Sequence, residues 1–107
     1  MIISLSEAKT HLRIEHEEED EYLTGLILQA QAAAEDFCRA TLDARTEMDA
    51  DGTERTVPPP EPARLAVLLM VSHYFENRDN PERAVYGTMR IAFENLLYPY
   101  RDPDKMF

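Results

Sequence analysis

Three histidines, one cysteine and 21 acidic residues are the side chains of this chain that could do chemistry. His11, Glu15, His16 and Glu19 lie close in sequence and offer the nitrogen and oxygen donors of a zinc-type site. Their spacing argues against one. Arg13, Ile14 and Glu15 fall at a bend between helices, no further Asp or His completes the set, and H-E-x-x-H is absent. His73 and Glu76, three residues apart, face alike on a helix and read as a surface pair beside the core. Cys38 lies at no helix N-terminus and in no lysine-rich setting, so nothing activates its thiol. It reads as a small hydrophobe near Phe37. The three glycines, Gly25, Gly52 and Gly87, are too scattered for a phosphate loop, and no G-x-S-x-G elbow is present. The expectation is no enzyme, no metal and no cofactor.

A different set stands out at the end of the third and fourth helical segments. Glu76-Asn77-Arg78 closes one, and Tyr98-Pro99-Tyr100-Arg101 follows the other. Aromatic residues beside arginine are enriched at protein interfaces. The competing reading is that Tyr98 caps the core and Arg101 is a solvated end. Residue types alone leave the two readings even.

Four helical segments must position these residues. Ser4-Leu5-Ser6-Glu7 fits a capping box, with Ile3 and Ala8 placed as a hydrophobic staple, which predicts a short helix over about 5–12. Leu23, Leu26, Ile27, Ala30, Ala34 and Phe37 recur at helical spacing and predict a long helix over about 18–40. Acids at its start and Arg39 near its end suit the helix dipole. Gly25 within it either admits a close neighbour or is tolerated at a cost of about 1 kcal/mol. Leu65 to Val71 is apolar all round, so the helix over about 60–78 should be central or half-covered by another subunit. Met89, Ala92, Phe93, Leu96 and Leu97 line one face of a last helix over about 88–98, which Pro99 ends. Residues 41–59 are polar and proline-rich. Asp51-Gly52 turns either a small hairpin between Arg45–Met48 and Glu54–Val57 or a mobile loop. The fold class expected is all-α: one domain over 1–107, a bundle of about four helices with its two long helices antiparallel.

Composition bounds the function classes. A net charge of −10 with scattered arginines disfavours nucleic-acid binding, since phosphate contacts need Lys and Arg. The acids cluster at Glu15–Asp20 and more loosely over Asp43–Glu54; they form a solvated surface, repel DNA or meet a basic partner. One cysteine excludes an internal disulfide framework. No signal peptide and no membrane span is expected, so the chain reads as soluble and from a reducing compartment.

Three stretches in order resemble one family. These are Ile3-Ser4-Leu5-Ser6-Glu7-Ala8-Lys9-Thr10-His11-Leu12-Arg13-Ile14 before the acids, Val57-Pro58 with Ala66 through Arg78, and Leu96-Leu97-Tyr98-Pro99-Tyr100-Arg101. They are similar to the start, third helix and ending of the small head–tail connector (adaptor) proteins of tailed phages. The likeness covers about 2–101. It implies an all-α virion subunit at the head–tail junction, without catalysis and assembled in the bacterial cytoplasm. Copies would form a ring of about twelve beneath the portal, with unlike patches meeting head to tail. The ring would extend the DNA channel without gripping DNA and dock the stopper or tail-completion protein. In such proteins the region matching 41–57 varies and can carry partner contacts, while the tail 102–107 is not specified. The alternative from another class is a small acidic helical module that inhibits a basic, nucleic-acid-binding protein.

Overall fold

The computed structural model describes residues 1–77 and 85–101. Its elements are α1 (Leu5–Leu12), α2 (Asp20–Cys38), β1 (Arg45–Met48), β2 (Glu54–Val57), α3 (Glu61–Glu76) and α4 (Val85–Leu97), with a 3-10 turn over Tyr98–Tyr100. The molecule is therefore mostly helical rather than strictly all-α, because the polar segment folds as a two-stranded antiparallel ribbon.

The capping box forms at α1: the Glu7 N–H donates to Ser4 Oγ (3.0 Å) and the Ser4 N–H to Glu7 Oε1 (3.4 Å). Glu7 Oε2 also holds Arg64 on α3, and Arg64 reaches Glu61 Oε1 at 2.7 Å. One carboxylate thus caps α1 and ties it to the first turn of α3. α1 and α2 both end on an arginine in the left-handed region, Arg13 (φ 59°) and Arg39 (φ 53°). That is the geometry glycine usually supplies at a helix C-terminus, so neither stop is visible in residue type. Pro60 occupies the N-cap position of α3 without a side-chain cap, and Pro62 sits in the first turn, where its missing N–H leaves no bond unmade.

α3 is the central helix. It packs against α1, α2 and α4. α2 and α3 run antiparallel, with Tyr22 near the start of one and Phe75 near the end of the other, ring centroids 6.4 Å apart. Leu23, Leu26, Ile27, Ala30 and Ala34 of α2 meet Ala63, Ala66, Val67, Met70 and Val71 of α3 in one core, joined by Met89, Phe93 and Leu97 of α4 and by Ile2 and Ile3. The core does not absorb every apolar residue of α3. Leu65 is 52% exposed and Leu68 and Leu69 are half-buried, so α3 is not enclosed on all sides.

The ribbon pairs Arg45 with Val57, Thr46 with Thr56, Glu47 with Arg55 and Met48 with Glu54. Its loop is longer than the two-residue Asp51-Gly52 turn. The Asp49 N–H donates to the Thr53 carbonyl, the Gly52 N–H to the Asp49 carbonyl, and Gly52 takes φ 85°. This is a type I turn closed by a residue in the left-handed region, which glycine adopts without strain. The ribbon contributes no side chain to the core. Ion pairs decorate it: Glu47 pairs with Arg45 along its own strand (2.8 Å) and with Arg55 across the ribbon (3.4 Å), and Arg55 also reaches Asp49 in the loop (3.1 Å). The Arg45 guanidinium, and behind it Arg55, hold the Glu47 carboxyl below its ordinary range.

Candidate functional site

The residues singled out for interface roles separate into two places. Glu76 and Asn77 close α3, beside Met89 in the early part of α4. Tyr98, Tyr100 and Arg101 follow the other end of α4, against the last turn of α2. A 13-residue helix of about 20 Å lies between them, so they are not one site. Arg78 lies outside the described residues, as do Asp79-Asn80-Pro81 and the tail 102–107.

At the α3 end, the pairing expected between His73 and Glu76 gives way to another. His73 is buried and Asn77 nearly so, while Glu76 is exposed and receives the Ser72 hydroxyl at 3.4 Å. The Asn77 N–H and its side-chain Nδ2 both donate to the His73 carbonyl (3.0 and 2.9 Å), and Nδ2 lies 3.4 Å from His73 Nδ1. The Asn77 N–H thus makes the last helical bond of α3, and its side chain adds a second donor to the same carbonyl, which pins the helix end. His73 turns inward because position 73 continues the buried row of Val67, Met70 and Val71.

At the α4 end, Tyr98 and Arg101 exchange the roles that core capping would give them. Tyr98 is 65% exposed, and Arg101 is the anchor. Arg101 Nε donates to the Phe37 carbonyl at 3.1 Å, and its guanidinium stacks over the Phe37 ring at 4.6 Å and within 5.7 Å of Tyr98. Phe37 is in the last turn of α2, whose carbonyls lack helical partners and carry the negative end of the dipole. A cation there is favourable twice over. Tyr100 is half-buried against the core. Cys38 lies fully buried beneath this clasp with Sγ 3.5 Å from the Leu97 carbonyl. Burial pushes its thiol pKa up, only partly offset by the Arg101 charge. Such a thiol is a poor nucleophile.

A groove of about 260 Å³ opens between α2, α3 and α4, lined by Phe37, Met70, Tyr74 and Phe93 with Asp36, Arg90 and Glu94 at its edges. Arg90 bonds Glu94 at 3.0 Å. Nothing in it pairs a nucleophile with a base.

A third cluster was not anticipated from residue types. Gln31 on α2 accepts from the Ile2 N–H (2.7 Å) and donates to Asp43 (3.3 Å), and Asp43 binds the N-terminal amine at 3.0 Å. Burial acts to raise the Asp43 carboxyl, but hydrogen bonds from the amine, the Ala44 N–H and the Gln31 amide outweigh it and hold it below the ordinary range. Long-range contacts of this kind, 12 and 29 residues apart in sequence, carry no local signal.

His11, Glu15 and His16 are all exposed and form no metal cluster; among the described residues no group of three or more His, Cys, Asp or Glu could hold an ion. Among the same residues no helix is long and apolar enough to cross a membrane. The surface instead offers exposed apolar side chains on several elements: Leu28 on α2, Met48 on β1, Leu65 on α3 and Ile91 on α4.

No curated protein and no solved structure matches the chain. The family model of the phage gp6-like head-tail connector proteins matches residues 2–102, nearly its whole length. That family is structural and non-enzymatic, a component of the virion at the head–tail junction. The chain belongs to the phage gp6-like head-tail connector family.

Proposed function

We propose that the chain is the repeating subunit of a closed ring of about twelve copies, built by one heterologous interface and seated beneath the portal. The ring extends the DNA channel and presents the docking surface for the stopper or tail-completion protein. The subunit joins the ring during virion assembly in the host cytoplasm. The observation that carries this reading is the family match over residues 2–102. The exposed apolar side chains on α2, α3 and α4 support it, because a small helical body that leaves them open gains by covering them with a neighbour. The ribbon supports it too. A two-stranded hairpin is marginal alone, and this one stands outside the core with Met48 65% exposed, suited to contact a partner. Among the residues singled out earlier, Tyr98 and Glu76 face an interface. Asn77, Tyr100 and Arg101 brace the helix ends behind them.

The net charge of −10 fits passage of DNA without gripping it. Part of the acidic surface, at residues 15–20 or along 43–54, faces the channel or a basic partner. Charge-neutral substitutions there that leave assembly, packaging and infectivity unchanged would count against that placement.

The test is native mass across a concentration series, with and without the cognate portal ring, paired with negative-stain images of the largest species. A ring of about a dozen copies is expected, alone or on the portal. A monomer or dimer under every condition that instead binds a nucleic-acid-binding protein, with strong salt dependence, would replace the connector reading with that of an acidic inhibitor.

A further inference from the structure

Two helices of this chain each carry an exposed face without charge. On α4 and at the start of the turn that follows it, Thr88, Ile91, Ala92, Asn95 and Tyr98 recur at helical spacing, and all are exposed. Ile91 is 63% and Tyr98 65% open to solvent. The charged residues of this helix, Arg90 and Glu94, lie on its flank in the groove with α2 and α3. On α2, Gly25, Leu28, Gln29 and Ala32 form the corresponding outward row. Leu28 is 52% exposed, and a Cβ built on Gly25 would meet nothing within 4 Å beyond its own turn of helix. Glu21 and Asp36 lie beyond either end of this row. α2 and α4 turn their opposite sides to the same core, so both rows point away from it.

We infer that these two faces are the two halves of the subunit–subunit interface, α4 of one copy lying on α2 of the next. The inference rests on the ring proposed above and names the surfaces that build it. Three observations select a second copy as the occupant. First, copies with a net charge of −10 repel each other, and these rows are where two copies can meet without setting acid against acid. A basic partner would be drawn to the acid runs instead. Second, the faces differ in shape. Ile91 projects from α4 and Tyr98 from the turn after it, whereas Leu28 on α2 is flanked by Gly25 and Ala32, which leave hollows on either side. Unlike faces on one chain join head to tail and close into a ring, whereas a two-fold dimer needs one self-complementary patch. Third, the contact is short. The α4 row runs about 15 Å and the α2 row about 10 Å along their axes. A single helix-on-helix contact of that length falls short of the roughly 800 Å² per partner typical of a free-standing interface. Each contact is then weak alone and is held by closure of the ring or by the portal.

Cysteine crosslinking tests this with the full chain. Leu28→Cys and Ile91→Cys are both surface changes, and Cys38 is buried, so a short bismaleimide reports on the introduced pair. Under conditions where native mass shows assembly, the double variant is expected to give a ladder of multimers. A mixture of the two single variants should give dimers at least tenfold above either variant alone. Efficient crosslinking of one single variant with itself would mean a two-fold contact and overturn the inference. Assembly without crosslinking of the pair would also overturn it and leave the ring standing. Absence of any assembly, with or without portal, would overturn both.

Discussion

Replacing Arg101 with alanine should loosen the end of the molecule by an amount that can be worked from its contacts. Arg101 donates one charged hydrogen bond to the Phe37 carbonyl (3.1 Å) and stacks on the Phe37 ring (4.6 Å). A charge-assisted bond contributes about 1.5–3 kcal/mol and a partly exposed cation–π contact about 0.5–1 kcal/mol. Arg101 is only half-buried and water can replace part of the bond, so a net loss of about 2 kcal/mol follows. For a chain of this size that lowers the melting temperature by about 8 °C. Cys38 supplies a local reporter, since its thiol is sealed beneath Leu97 and this clasp. If labelling by a thiol reagent requires the clasp to open, 2 kcal/mol accelerates it about 30-fold. Arg101→Lys keeps the charge but loses the planar stack, and should fall between the two. Unchanged melting and an unchanged Cys38 labelling rate in Arg101→Ala would refute the clasp.

Phe93→Ala empties a buried position of α4 beside Met70, and should cost about 3–4 kcal/mol, read as a fall of more than 10 °C in thermal melting. Gly52→Ala, at φ 85°, strains the ribbon turn by about 1 kcal/mol. Because the ribbon adds nothing to the core, hydrogen exchange over residues 45–57 should quicken while the melting temperature holds. Asp43 is held below the ordinary carboxyl value of about 3.9, so its contribution to stability is complete above that pH and is lost as pH falls through its native value. Urea unfolding should therefore show Asp43→Asn less stable than the parent at pH 7, with the gap closing below about pH 4.

The legible part of the fold was the part written in local pattern. Ser4 and Glu7 announce the start of α1 because a capping box needs only four consecutive residues. The apolar rows of α2 and α4 announce their buried faces through helical spacing, except that Ala92, read as facing the core, is exposed. Between a hairpin and a mobile loop the structure takes the hairpin, with the strands at Arg45–Met48 and Glu54–Val57. Boundaries shifted where the stop signal is conformational: Arg13 and Arg39 adopt left-handed backbone without being glycine. The start of α4 also moved, from about 88 to Val85. The candidate site was less legible. Residue types marked Tyr98 and Arg101 but could not say which faces solvent, because that depends on Phe37, 64 residues away. His73 read as a surface partner of Glu76 because both are polar; burial of its row reverses that. The Asp43–Gln31 cluster depends wholly on contacts made after folding.

Ring formation by this connector-family chain on the portal is decided by a symmetry-resolved electron-microscopy map of the chain bound to its cognate portal. The map should show a closed ring of about a dozen copies, coaxial with the portal and joined α4 to α2, around an open channel. Copies bound singly, off axis, or not at all would contradict it.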